Sequence, residues 1–164
     1  MRVDFHQACI LLGSNIEPEV NIPKAVELLQ ENLTVLHASH TWETPSVDCC
    51  YPNYLNIALL VETNLEVKAL KEQVLRPLEA LMGRVRTEDK NASRTIDLDI
   101  ILFDGAVLDS DLWSHAHRAI PVSELFPDYH SETGESLKTV ARRLAQTTPI
   151  QLRKDVSVLL PSRN

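Results

Sequence analysis

Asn53-Tyr54-Leu55-Asn56-Ile57-Ala58-Leu59-Leu60-Val61-Glu62, "NYLNIALLVE", decides how this chain folds. Side chains alternate between faces along a strand. Leu55, Ile57, Leu59 and Val61 therefore share one face, and Tyr54, Asn56, Ala58 and Leu60 share the other. The first face is uniformly apolar and belongs in a core. The second mixes an aromatic ring and an amide with small and aliphatic side chains.

Elements flank this strand in a consistent order. Residues 5–12 read as a strand ending at Gly13-Ser14-Asn15. Asn21 is placed to cap a helix in which Ile22, Val26, Leu29 and Leu33 form one apolar stripe, with Pro23 in its first turn. Residues 34–43 read as a strand, and "TPSVDCCYP" (44–52) as a loop. After the central strand, Thr63-x-x-Glu66 has the form of a capping box. It opens a helix striped by Leu70, Val74, Leu78 and Leu81 and kinked at Pro77. Residues 95–103 read as a strand, Asp104-Gly105 as a two-residue hairpin turn into 106–109, and 135–145 as a helix. The order β-α-β-β-α-β, then a hairpin and a helical tail, predicts an α+β ferredoxin-like sandwich. Its helices cover one face of a mostly antiparallel sheet and leave the other for a ligand. Residues 1–164 read as a single domain, with no internal repeat or long linker.

Composition narrows the function. A net charge of -7 argues against nonspecific binding to nucleic acid or an anionic membrane. No apolar run is long enough to span a bilayer, and the first residues carry Asp4 and His6 where a signal peptide needs its apolar core. Cys9, Cys49 and Cys50 make no disulfide framework, so a cytoplasmic location is expected.

The stretch Lys90-Asn91-Ala92-Ser93-Arg94-Thr95-Ile96-Asp97-Leu98-Asp99-Ile100-Ile101 carries the chemistry. Asp97 and Asp99 share a strand face and repel each other, so they need a cation, a shared proton or full solvation. Mg²⁺ suits such a pair, because it takes one or two carboxylates and keeps waters that reach phosphate oxygens. Arg84, Arg86, Lys90 and Arg94 stand close by in sequence. Guanidinium forks beside a carboxylate-bound cation match polyphosphate. The competing reading is an exposed edge strand with two solvated acids and a self-paired loop. His115-Ala116-His117 lacks neighbouring cysteines or a convincing third ligand, which argues against zinc.

These residues resemble the signature of the 6-hydroxymethyl-7,8-dihydropterin pyrophosphokinases, enzymes of folate biosynthesis. "LLGSNIEP" (11–18), "WETPSV" (42–47), "YPNYLNIALLVET" (51–63) and "LEALMGRVR" (78–86) resemble further landmarks of that family, in the same order. The resemblance covers roughly residues 8–127. It implies transfer of the β,γ-pyrophosphate of ATP to the hydroxymethyl group of a reduced pterin, with release of AMP. By the same resemblance Asp97 and Asp99 hold two Mg²⁺ ions, and Arg84 and Arg94 act on the phosphates. Arg86, Lys90, His115, His117 and Arg118 are implied on the nucleotide side; which of the two histidines replaces the family histidine stays open. Thr44, Val47, Tyr54, Asn56 and Ile120 are implied on the pterin side. Three departures stand out. Tyr51 replaces a usual Gln, Asn91 stands where Trp is frequent, and "SHAHRAIPVSELFP" (114–127) is several residues shorter than its counterpart. Ile120 is the nearest match to the second aromatic that sandwiches the pterin. A diverged relative with another acceptor, and a ferredoxin-like binding module without catalysis, remain alternatives. Expected partners are small molecules, ATP and a reduced pterin.

Overall fold

The computed structural model describes residues 4–46, 51–84, 88 and 93–161. A seven-stranded sheet is built from β1 (His6–Ser14), β2 (Thr34–Ala38), β3 (Trp42–Thr44), β4 (Tyr54–Thr63), β5 (Asp97–Phe103), β6 (Ala106–Val107) and β7 (Gln151–Leu152). Strand order is β6-β5-β1-β4-β3-β7, with β2 also on β4, and every pairing is antiparallel. The core order β5-β1-β4-β2 is that of the expected ferredoxin-like sandwich. Residues 34–43 form two strands rather than one. The chain breaks at Ser39, whose backbone N–H donates to the Ala58 carbonyl and whose Oγ accepts the Ala58 N–H, both near 2.9 Å or less.

Side-chain parity sorts the two faces. Leu55, Ile57, Leu59 and Val61 join Ile10, Leu12, Leu98 and Ile100 in one core beneath α1 (Pro18–Leu29), α2 (Val67–Leu70) and α3 (Arg76–Leu81). The opposite face is not left wholly open. Cys9, Leu11, Ala58, Ile101 and Leu102 form a second core with α4 (Ala116–Leu125) and α5 (Leu137–Ala145). Helix α5 matches the expected helix, capped by Ser136, whose side chain accepts from the Thr139 N–H. The sequence alone does not mark α4 as a helix, because its apolar residues run together at 119–122 and Pro121 sits inside it. The ligand face is thus only the end of the sheet that α4 leaves uncovered.

Local signals were partly redirected. Helix α1 begins at Pro18, earlier than Asn21, behind Glu17 in the left-handed region (φ 40°). Asn21 instead donates its amide to the Ile16 carbonyl at 2.6 Å. The Thr63–Glu66 capping box does not form: Thr63 Oγ1 accepts the Leu65 N–H, and Glu66 pairs with His6 Nε2 at 3.1 Å. Before Pro77 the helix widens into a π-turn, Lys71–Leu75. That turn lets Pro77 enter α3 near its start, where its missing N–H costs little. It also rotates the buried face: Leu70, Val74, Leu75 and Leu78 are buried, Met82 packs on the core, and Leu81 is 73% exposed. Asp104 and Gly105 adopt φ of 48° and 82°, as the two-residue hairpin turn requires.

Candidate active site

A cavity of about 220 Å³ opens over the sheet beside the start of α4. It is lined by Leu11 and Gly13 of β1, Thr44 and Pro45, Tyr54 and Asn56 of β4, and Arg94, Asp97 and Asp99. His115, His117 and Arg118 close it from the start of α4. Antiparallel register explains the grouping: Gly13 pairs with Asn56 on one side and Asp97 on the other. Gly13 allows a close approach there: a Cβ would lie 3.3 Å from Asn56 Oδ1, which would have to shift slightly, and 3.7 Å from the Tyr54 ring. Asn56 donates its amide to Thr44 Oγ1 at 2.9 Å, which fixes the amide beside Tyr54.

Asp97 is heavily compensated. Its Oδ1 accepts from Arg84 Nη1 at 2.8 Å and its Oδ2 from Arg94 Nη1 at 2.9 Å. Asp99 has no hydrogen-bond or ion-pair partner among the described residues. Burial, and then the neighbouring Asp97 charge, push its carboxyl up to about 6. Across the cavity, His117 is pushed down to about 4, first by burial and then by the Arg118 and His115 charges. Arg118 is steered by Asp109, which accepts from Nε at 2.8 Å, and a guanidinium N–H of Arg118 meets His117 Nε2. An imidazole that accepts at Nε2 carries its proton at Nδ1.

The donor set fits a divalent cation of the Mg²⁺ type. Two carboxylates on one strand face, with Asp99 carrying an unpartnered charge, supply the few protein oxygens such an ion uses alongside water and phosphate. No group of three or more His, Cys, Asp or Glu with metal-binding geometry occurs among the described residues.

Most of the sequence-derived residues converge here: Arg84, Arg94, Asp97, Asp99, His115, His117, Arg118, Thr44, Tyr54 and Asn56 lie in or against the cavity. Val47, Arg86 and Lys90 lie outside the described residues. Ile120 lies apart from these residues. It is 7% exposed on the inward side of α4, in the core with Cys9, Leu11 and Ala58, and does not line the cavity. His117 and Arg118, in the first turn of α4, line the cavity, while Ile120, nearly one turn further along, is packed in the core. Nearby, Trp113 stacks on Tyr129, ring centroids 6.0 Å apart.

Two residues went unread. Asn15 is 3% exposed; its Oδ1 accepts the Arg94 N–H at 2.7 Å and its amide donates to the Pro52 carbonyl at 3.2 Å. It joins the loops that carry Arg94 and Tyr54, and only its place in Gly13-Ser14-Asn15 hinted at this. Glu79, 2% exposed, follows Leu78 on an apolar helix face, a position where an acid is out of place.

Residues 9–127 match the family model of 7,8-dihydro-6-hydroxymethylpterin-pyrophosphokinase. A 2-amino-4-hydroxy-6-hydroxymethyldihydropteridine pyrophosphokinase of Methylorubrum extorquens is 31% identical over 134 residues, covering 74% of this chain and 84% of the relative. The folic acid synthesis protein fol1 of Schizosaccharomyces pombe is 30% identical over 150 residues, but the match spans only 20% of its length. The wild-type Plasmodium falciparum HPPK-DHPS structure with pterin and p-hydroxybenzoate superposes with a TM-score of 0.70 at 12% identity, over 88% of this chain and 44% of that one. This last likeness concerns the fold alone.

Proposed function

The chain belongs to the 7,8-dihydro-6-hydroxymethylpterin-pyrophosphokinase family, and from that membership we propose that it transfers pyrophosphate from ATP to the hydroxymethyl group of 6-hydroxymethyl-7,8-dihydropterin, releasing AMP, in folate biosynthesis. The observation that carries this reading for the site is the cavity itself. Tyr54 and Asn56 stand at one end, and Asp97, Asp99 and Arg94 at the other.

The chain's residues divide the work. Tyr54 offers a ring face to a flat heterocycle, and Asn56, held by Thr44, offers its amide oxygen to the heterocycle's edge. Asp97 and Asp99 would hold the Mg²⁺ pair. When bound, those ions neutralise the triphosphate and stabilise the charge that develops on its oxygens. Arg84 and Arg94 converge on Asp97, where they are placed to take phosphate oxygens in a forked contact. Asn15 fixes the backbone from which Arg94 projects. Arg118 and the neutral His117 close the cavity from the start of α4. In the reaction the acceptor hydroxyl oxygen bonds to the β-phosphorus, the bond from that phosphorus to the α,β-bridging oxygen breaks, and AMP leaves with that oxygen while the hydroxyl proton is lost to solvent. No covalent enzyme intermediate is needed. Positioning and electrostatic stabilisation account for the rate.

The test is a coupled assay for AMP with ATP, Mg²⁺ and 6-hydroxymethyl-7,8-dihydropterin. Turnover that requires all three is expected. Metal-dependent ATP binding without AMP release would favour a relative with another acceptor, to which the short segment 114–127 lends some support. No helix among the described residues is long and apolar enough to cross a membrane.

A further inference from the structure

Arg84 is held by two carboxylates at once. Its Nη1 donates to Asp97 Oδ1 at 2.8 Å and to Glu79 Oε2 at 2.5 Å. Its side chain is 8% exposed, so neither contact is a loose surface pair. The two acids differ in what else holds them. Asp97 faces the cavity and can exchange its partners. Glu79 cannot. It is 2% exposed, its Oε2 also accepts the Leu98 N–H of β5 at 2.9 Å, and its Oε1 accepts Arg76 Nη1 at 2.7 Å. A buried carboxylate is costly unless charge and hydrogen bonds compensate it, and breaking such an arrangement by removing one partner is strongly unfavourable.

A divalent cation bound by Asp97 would compete with Arg84 for that carboxylate, and the two positive charges would repel. The Asp97 contact therefore weakens whenever the cation enters. Without a second anchor the Arg84 side chain would lose its place at that moment. We infer that Glu79 is a positioning residue: it keeps the Arg84 guanidinium at the edge of the cavity when Asp97 exchanges that guanidinium for a divalent cation. Its link to the Leu98 amide sets this anchor by the strand that carries Asp97 and Asp99, so the guanidinium and the carboxylate pair keep one spacing. The inference rests on the pyrophosphokinase reading of the site.

A double-mutant cycle separates positioning from mere support of the fold. Glu79→Gln keeps the shape of the side chain and removes its charge. In the parent protein it should slow AMP release about 10²-fold, with KM for ATP within about threefold, as for loss of one transition-state donor. In an Arg84→Ala background the same change should alter turnover less than about twofold, because the group it positions is gone. An equal loss in both backgrounds would show that Glu79 acts on the scaffold, and would overturn the inference. A second measurement covers a Glu79→Gln protein that does not fold. In ¹⁵N spectra of the parent, the Arg84 guanidinium, assigned with Arg84→Lys, should stay slowly rotating when Mg²⁺ and a non-hydrolysable ATP analogue are added. Averaging of its N–H signals on loading would overturn the inference. If the parent releases no AMP, the pyrophosphokinase reading fails, and the spectra still decide the role of Glu79.

Discussion

Two parts of one cavity treat the same kind of group in opposite ways. Around Asp97 every charge is met: Arg84 and Arg94 hold its two oxygens, and Glu79 holds Arg84 in turn. Around Asp99 and His117 the surroundings favour the neutral forms, the carboxyl being pushed up and the imidazole down. Asp97 and Asp99 are two residues apart on one strand face. Their difference shows that the protein's own cations are spent at one end of the pair. The other end keeps an uncompensated charge, which is where an incoming cation gains most. The cost of holding that charge appears in the stability of the metal-free protein.

The largest expected effect treats the two acids alike. Asp97→Asn and Asp99→Asn should each lower AMP release by at least about 10³-fold, since each removes a ligand to ions that stabilise the transferring phosphates. Near-normal turnover in either variant would break the carboxylate pair as the metal site. Stability should then separate them. Without metal at pH 7, Asp97→Asn removes two charge-assisted bonds and should destabilise by about 1–3 kcal/mol. Asp99→Asn removes a half-buried, unpartnered charge and should stabilise by about 1–3 kcal/mol. Urea melts decide, and shifts of the same sign would erase the contrast. Mutual repulsion alone would make both changes harmless to the fold; the two arginines on Asp97 make it differ.

The neutral side has its own signature in pH. His117 in the fold titrates near 4, below the 6.5 of an unperturbed imidazole. Between those values the unfolded chain binds the proton and the folded chain does not. Its contribution to stability is therefore complete above about 6.5 and is lost as the pH falls toward 4. The parent should lose about 2 kcal/mol more than His117→Gln between pH 7 and pH 5, read from urea midpoints. Parallel curves would mean that the imidazole is not held neutral. The smallest effect concerns the cavity's aromatic end. Tyr54→Ala should weaken binding of a pterin analogue to the Mg-nucleotide complex about tenfold, with nucleotide affinity unchanged, from loss of one stacking face. Titration calorimetry checks it, and undiminished binding would place the acceptor elsewhere.

Much of this was legible because parity is a local signal. Leu55, Ile57, Leu59 and Val61 lie in one core, and Tyr54 and Asn56 face the cavity with Asp97 and Asp99, as alternation requires. The hairpin at Asp104-Gly105 was equally local. What escaped depends on contacts between distant segments. Helix α4 is defined by what it covers, and its run of apolar residues at 119–122 around Pro121 gives a weak periodic signal. Ile120 was matched by its neighbours in sequence, whereas the direction in which a helical side chain points is set by packing against Leu11 and Ala58. Glu79 and Asn15 matter through partners 19 and 79 residues away, which no window along the chain contains.

The π-turn at Lys71–Leu75 has a consequence for how this protein tolerates change in length. Such a turn holds one residue more than an α-helical path needs, so deleting one residue within it would leave a regular helix and look innocuous. Every residue after it would then turn by about 100° about the axis. Leu81 would swing toward the core, and Glu79 would swing away from Arg84 and the Leu98 amide. The segment thus behaves as a spacer whose length sets the angular phase of the catalytic wall: a single-residue deletion there would be silent in helix content and loud in turnover.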